Sequence, residues 1–285
     1  MNLFSRVSNF PFQLRRLQQI TMSLARGSAS HSCRVIDETS PASWEFSGFS
    51  QNGEDGVIDL LSRHLTTANR YFVEIGASDG LENNTTWLAL VRRFSGLWIE
   101  GSASSADWAK YTFTRLNYGL DIRSLFVDRE SAGTVVSQAL FADPDVLSVD
   151  IDGMDYHIVE ALLDAGLRPK IIVVEYNSAF GPEAAVTIPY TREFRREAGA
   201  FGSLYYGCSI TAWRRLLEHR EYSFVTVEAN GVNAFFVASS AFEQDFLANV
   251  VALPFAENVS QRLNFRAGWQ AQLAHLSGKP FMEVS

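Results

Sequence analysis

The stretch Tyr71-Phe72-Val73-Glu74-Ile75-Gly76-Ala77-Ser78-Asp79-Gly80 (residues 71–80) joins four residues suited to a buried strand to a turn bracketed by two glycines. Glu74 interrupts the apolar run. A carboxylate inside a buried strand is costly unless something pairs with it, so its position predicts a partner at the mouth of the strand: a ligand, a metal or a local hydrogen-bond network.

Outward from this strand, the chain alternates between helical and strand patterns. Before it, residues 50–65 have Asn52 as a candidate helix cap and Val57, Leu60, Leu61 and Leu65 on one face, continued by His64. After Gly80 come a helical stretch, the short strand Leu97-Trp98-Ile99-Glu100, a helix near 104–115, a strand near 122–127, a helix near 131–140 and a strand over 146–152. Ile158, Val159, Leu162 and Leu163 mark a helix stopped by Gly166, and residues 170–177 read as a further strand. Strands separated by helices of this length imply parallel pairing through right-handed crossovers. Near the end, two β-rich runs flank Asn230-Gly231 and signal a hairpin. The expected fold is therefore α/β, a doubly wound, mostly parallel sheet finished by a C-terminal antiparallel hairpin. The expected organisation is an extension over 1–49, one domain over 50–240 and a helical tail over 241–285 packed on it.

The formal net charge of -8 argues against a general nucleic-acid surface, which needs an excess of Lys and Arg on the docking face. Small molecules or a neutral polymer fit better. Cys33 and Cys208 are too few for a disulfide framework or a zinc site, so a reducing, cytoplasmic setting is expected, with Cys208 a buried thiol. The first 36 residues carry Arg6, Arg15, Arg16, Arg26 and Arg34 and no acid, but their apolar residues are interrupted too often for a membrane span or a secretory segment. Phe12, Leu14, Leu17 and Ile20 fall at helical spacing beside Arg15 and Arg16. A terminal helix docked on the core is the simpler expectation, and peripheral contact with an anionic membrane the other.

Ligands of such sheets bind outside the carboxyl ends of the strands, where the topology reverses. Those ends carry Glu74 and the Gly76–Gly80 turn, then Glu100, then Asp150 and Asp152, then Glu175 and Asn177. A dinucleotide fingerprint spaces its glycines to admit a pyrophosphate. This turn reads E-x-G-x-x-x-G and sets Asp79 beside Gly80, which suits a ligand with positive charge and no phosphates, and argues against a nucleotide-dependent oxidoreductase. S-adenosylmethionine, with an ammonium, a sulfonium and a ribose diol, is such a ligand. Glu74, Gly76, Ser78, Asp79, Gly80 and Asp150 are the candidate residues around it, and Glu100 is the candidate for the ribose.

Six segments in order, SQNGEDGVI (50–58), FVEIGASDGLENNTTWL (72–88), GLWIEGS (96–102), LSVDIDGMDYHIVEAL (147–162), RPKIIVVEYNSAFGP (168–182) and GVNAFFV (231–237), resemble the motifs of the FkbM-like family of S-adenosylmethionine-dependent methyltransferases. The resemblance implies a class I methyltransferase fold, Rossmann-like, with seven strands, a reversed last hairpin and the cofactor over the first two strands. It places Glu74, Gly76 and Gly80 in the cofactor turn and Glu100 on the ribose, with Asp128 a candidate for the adenine amino group or, more simply, a helix cap. It also implies O-methylation of a sugar, glycan or secondary metabolite. A catalytically inactive binding module on the same fold is the alternative, although such a module would be expected to lose the turn.

Methyl transfer to a hydroxyl depends on positioning, worth roughly 7 to 11 kcal/mol, and on removal of the hydroxyl proton. Asp152, Asp155 and His157 are the candidate bases. Mg²⁺ is the other device, since some class I O-methyltransferases bind it through carboxylates after the fourth strand and a carboxylate–amide pair after the fifth, which here points to Asp152, Glu175 and Asn177. The long segment 178–206 reads as a binding loop, with Phe180, Tyr190, Phe201 and Tyr205 to stack on a sugar and Arg192, Arg195 and Arg196 either to meet an anionic acceptor or to form a solvated helix face.

Overall fold

The computed structural model describes residues 3–196 and 204–285, with the backbone alone over 3–12. In chain order the elements are α1 (Leu3–Cys33), α2 (Glu54–Arg63), β1 (Tyr71–Ile75), α3 (Thr86–Leu90), β2 (Ser95–Glu100), α4 (Ala103–Phe113), β3 (Leu120–Ser124), α5 (Ala132–Gln138), β4 (Val146–Val149), α6 (Asp155–Asp164), β5 (Ile171–Glu175) and β6 (Val186–Thr187). Then follow α7 (Ile210–Glu218), β7 (Tyr222–Val227), β8 (Asn233–Ala238), α8 (Gln244–Asn249), α9 (Val259–Phe265), α10 (Trp269–His275) and β9 (Met282–Glu283).

Seven strands form one sheet in the order β3-β2-β1-β4-β5-β8-β7. β1 to β5 pair in parallel, and β8 runs antiparallel to both β5 and β7, so the hairpin around Asn230-Gly231 closes the sheet. Gly231 takes φ +72°, as that turn requires. The order reverses between β1 and β4, and this opens the crevice in which the site lies.

Period-two alternation decides which layer each strand residue meets. Val73 and Ile75 pack with Ile158, Val159 and Leu162 of α6. Phe72 packs on the other face, with Val57, Leu61 and Trp98. Glu74 therefore points into the layer of α2 and α3, away from α6.

Four boundaries differ from the sequence expectation, each for a local reason. Asn52 does not cap α2; Gly53 does, at φ +107°, while the Asn52 amide donates to Glu54. β3 ends at Ser124, because Leu125, Phe126 and Val127, apolar enough to read as strand, leave the sheet to wall the crevice. β4 ends at Val149, because the chain turns at Asp152 (φ +58°) under the Asp155 carboxylate, which accepts from Ile151 N (2.8 Å) and Gly153 N (2.9 Å). Residues 191–196 are irregular, not a helix face.

α1 docks on the domain: Ile20 is buried in the α2/α3 layer, and Gly27 approaches so closely that a Cβ would lie 2.6 Å from Trp87. Leu14, Leu17 and Met22 stay exposed, and the Phe12 side chain lies outside the described residues. In the tail, Leu276 and Val284 enter the core and β9 pairs with β6. Among the described residues, no helix is long and apolar enough to cross a membrane.

Candidate cofactor and acceptor site

A cavity of about 370 Å³ opens at the carboxyl ends of β1 to β4. Its walls include Gly76, Ser78, Glu100, Asp128, Asp150 and Asp152, so six of the sequence candidates converge there. Leu125, Phe126, Ile151 and Met154 supply apolar walls, and Tyr190, Arg192 and Phe194 close one side.

The turn after β1 is built for close approach. Gly76 has φ +87°, and a Cβ there would lie 1.7 Å from the Asp150 carbonyl oxygen of the neighbouring strand. Gly80 has φ +79° and is pressed against Phe113. At the end of β2, the Glu100 carboxylate is clamped by two backbone amides, Ser78 N (2.8 Å) and Ser102 N (2.7 Å). Each oxygen keeps a lone pair for a ligand hydroxyl.

Asp128 sits at the start of α5, where it accepts from Ser131 N (2.8 Å) and pairs with Arg192 Nε (2.9 Å). Burial alone would raise its pKa, but the Ser131 bonds and the Arg192 guanidinium outweigh that and hold it below the ordinary value. It does not cap α5, whose N-cap is Ser131, but braces the turn that leads into the helix and forms part of the cavity wall.

The floor beyond Gly76 is acidic. Oxygens of Asp150, Asp152 and Glu175 lie within 4.8 Å of one another. Crowding by protein, then the charges of Asp155, Asp152, Glu54 and Glu74, push Asp150 up to about 8. Burial, then the charges of Asp150, Asp155 and Asp152, push Glu175 well above its ordinary value against the pull of Arg196, and its Oε2 has no hydrogen-bond partner. Asp152 pairs with Arg196 (3.1 Å), whose guanidinium stacks on Tyr206 with 3.6 Å to the ring centre.

Glu74 stands apart from the large cavity, in the layer that strand alternation assigns it. It is 3% exposed and accepts from Asn84 N (2.9 Å) and Thr85 Oγ1 (2.5 Å). Burial raises it to about 7, against the pull of those two bonds. It borders a second cavity of about 70 Å³ that shares Gly76 and Asp150 with the first and is also lined by Glu54, Glu82, Asn84 and Asn233. Glu54 accepts from Asn52 N (2.7 Å) and from Asn233 Nδ2 (2.7 Å), which leaves the buried Asn233 Oδ1 without a partner. Glu54 and Asn233 belong to the first and last of the quoted segments. The sequence assigned neither a role, because an acid in the first turn of a helix already has a reason to be there.

Other candidates are committed elsewhere. Asp79 bonds Arg16 of α1 and does not line the large cavity. Asp155 is buried and shapes the 151–153 turn. His157 is neither at the cleft nor on the helix surface: it is 2% exposed, its Nε2 lies 2.9 Å from the Ile188 carbonyl, and burial lowers its pKa. Asn177 cannot join a metal set, since its amide donates to Leu204 O (2.6 Å) and Tyr206 O (3.0 Å) and its Oδ1 caps Ala179. Asp150 stands in its place beside Asp152 and Glu175. Phe180 is core, Tyr205 bonds Pro280, and Tyr190 lines the cavity; Phe201 lies outside the described residues. Cys208 is buried, with its thiol pushed up by burial, and Cys33 is exposed; both are free.

The mostly parallel seven-stranded sheet, its reversed hairpin and the crevice at the β1/β4 reversal define a Rossmann-like fold of the class I methyltransferase type. No protein-family model matches the sequence, and no curated protein does. Among solved structures, the chain is similar to the O-methyltransferase from Bacillus cereus in complex with SAH, at 16% identity over 77% of this chain and 89% of that one, TM-score 0.42. It is also similar to the O-methyltransferase TomG from Streptomyces achromogenes in complex with SAM (17%, 76% and 96%, TM-score 0.42) and to the magnesium protoporphyrin IX methyltransferase of Synechocystis with bound SAM (12%, 65% and 77%, TM-score 0.41).

Proposed function

We propose that this chain is an S-adenosylmethionine-dependent methyltransferase acting on a hydroxyl of a sugar, glycan or secondary metabolite. The observation that carries the reading is Glu100, held by the Ser78 and Ser102 amides at the rim of a cavity whose remaining charged wall is mostly acidic. That wall suits a cation with a ribose diol and repels phosphates. Ile151, Met154 and Phe126 would hold the adenine, with Asp128 for its amino group, and Gly76, Asp150 and the smaller acidic cavity would hold the cationic end.

The bound cofactor would supply an electrophilic methyl group to the acceptor oxygen, with its sulfur as the leaving group. The hydroxyl proton passes to Asp152, which Arg196 holds in place, with Asp150 beside it. Burial and the neighbouring charges of Asp155, Asp152, Glu54 and Glu74 raise the Asp150 pKa, and a cation beside it would favour the ionised form. Asp150, Asp152 and Glu175 form a hard-oxygen set that suits Mg²⁺, which would acidify the hydroxyl, and the partnerless Glu175 Oε2 supports that fit. Tyr190 offers a face for a sugar ring. The net charge of -8 and the free thiols support a non-nucleic-acid acceptor and a cytoplasmic setting.

The test is calorimetric titration with S-adenosylmethionine and S-adenosylhomocysteine, with EDTA and with Mg²⁺. Binding that falls about 100-fold in Glu100→Ala, the loss of two hydrogen bonds to a charged group, supports the assignment. No heat with either ligand sinks it. Binding without methylation of any hydroxylated acceptor leaves a binding module.

A further inference from the structure

The turn assigned to the cofactor is gripped from outside its own sheet. Gly76, Ser78 and Gly80 all have positive φ, and Ser78 (φ +50°) is not a glycine. Such backbone persists only where its surroundings over-determine it. One of the constraints comes from α1. Arg16, 5% exposed, donates Nη1 to Asp79 Oδ2 (2.5 Å) and Nη2 to the Asp79 carbonyl (3.0 Å), so one guanidinium holds both the side chain and the main chain of the residue next to Ser78. The same Nη2 reaches Thr112 Oγ1 (3.2 Å) on α4, and the guanidinium lies 5.5 Å from the Trp108 ring. The next amide toward the cavity, Ser78 N, is the one that clamps Glu100.

We infer that Arg16 is a positioning residue for the cofactor site, and that α1 is a strap whose docking and cofactor binding favour one another. The inference rests on the proposed reading of the large cavity. An unbroken series of contacts carries it: Arg16 fixes Asp79, the shared peptide fixes Ser78, and Ser78 fixes Glu100. Two further contacts seat the strap, the approach of Gly27 to Trp87 and the bond from Arg26 Nη2 to the Gly48 carbonyl (2.7 Å). Asp79 thus serves the cofactor without touching it, as the anchor for Arg16. Coupling of this kind is reciprocal, so a ligand that needs the ordered turn also stabilises the docked helix.

The experiment is a double-mutant cycle on S-adenosylhomocysteine affinity with the full chain: wild type, Arg16→Met, Asp79→Asn and the double variant, each checked for folding by circular dichroism. Each single change is expected to weaken binding by about tenfold, the value of a charge-assisted bond, and the double variant no further than either. Affinities unchanged in both singles, or effects that multiply in the double, overturn the inference. Should Arg16→Met fail to fold, hydrogen exchange on the unaltered protein decides: saturating S-adenosylhomocysteine slows exchange over residues 13–33 if the strap is coupled, and unchanged exchange there overturns the coupling. Wild type that is folded and binds no ligand overturns the cofactor reading, and this inference with it, whereas a binding wild type with insensitive variants overturns this inference alone.

Discussion

Replacing Glu74 by glutamine keeps the shape of the side chain and removes its titration. The carboxyl is 3% exposed and burial lifts it from its ordinary value of 4.5 to about 7, with the Thr85 and Asn84 bonds opposing the rise. An acid whose folded pKa lies above its unfolded one favours the native state while it is protonated. Its contribution is whole below pH 4.5 and is lost as the pH rises through about 7. A shift of that size is worth about 3 kcal/mol. For a chain of 285 residues, with an unfolding entropy of about 0.6 kcal/mol/K, this corresponds to about 5 °C in Tm. In Glu74→Gln the amide oxygen keeps the Asn84 bond, and the amide nitrogen donates to Thr85 Oγ1, which already accepts the Trp98 indole (2.7 Å). The displaced Thr85 hydroxyl proton costs about 1 kcal/mol at every pH and so cancels from the comparison. Melting curves of both proteins at pH 5, 6, 7 and 8 check this: the variant's Tm relative to wild type should climb by about 4 °C from pH 5 to pH 8. A difference that stays flat across that range refutes a buried, upshifted Glu74.

Two other outcomes follow from the same geometry. In Gly76→Ala the new Cβ meets the Asp150 carbonyl at 1.7 Å between adjacent strands that cannot part, and the φ of +87° strains it further. A loss of about 3 kcal/mol in urea melts and loss of S-adenosylhomocysteine binding are expected, whereas Gly133→Ala, in α5 with nothing within 4 Å, leaves binding unchanged and raises stability by up to about 1 kcal/mol. The second concerns pH: Asp150, pushed up to about 8, must ionise to meet a cation, so S-adenosylmethionine affinity should rise by up to about tenfold per unit from pH 6 to 8 and level above. A pH-independent affinity, or one that falls over that range, removes Asp150 from the cationic end.

Much of the candidate site was legible because most of its residues stand at or just after strand ends. Gly76, Ser78, Glu100, Asp128, Asp150 and Asp152 line one cavity, as the local pattern of strand, turn and acid suggests. The errors share one cause. Leu125, Phe126 and Val127 carry the residue types of a strand, yet they serve as a cavity wall, where apolar surface is equally satisfied. Asn177 stands two residues beyond Glu175 on an extended chain, but the 204–206 backbone claims its amide.

What the sequence determined alone is the alternation of strand and helix, the hairpin at Asn230-Gly231 and the glycine-bracketed turn, since period-two and helical periodicity and positive φ are properties of neighbouring residues. What only the tertiary structure decided is the partner of carboxylates such as Glu74, Glu54 and Asp79. Glu74 answers to Thr85, Glu54 to Asn233 from 179 residues away, and Asp79 to Arg16 from 63 residues away. A buried charge is settled by whichever donor the packed chain delivers to it, and a donor so distant in sequence leaves no local periodicity to read.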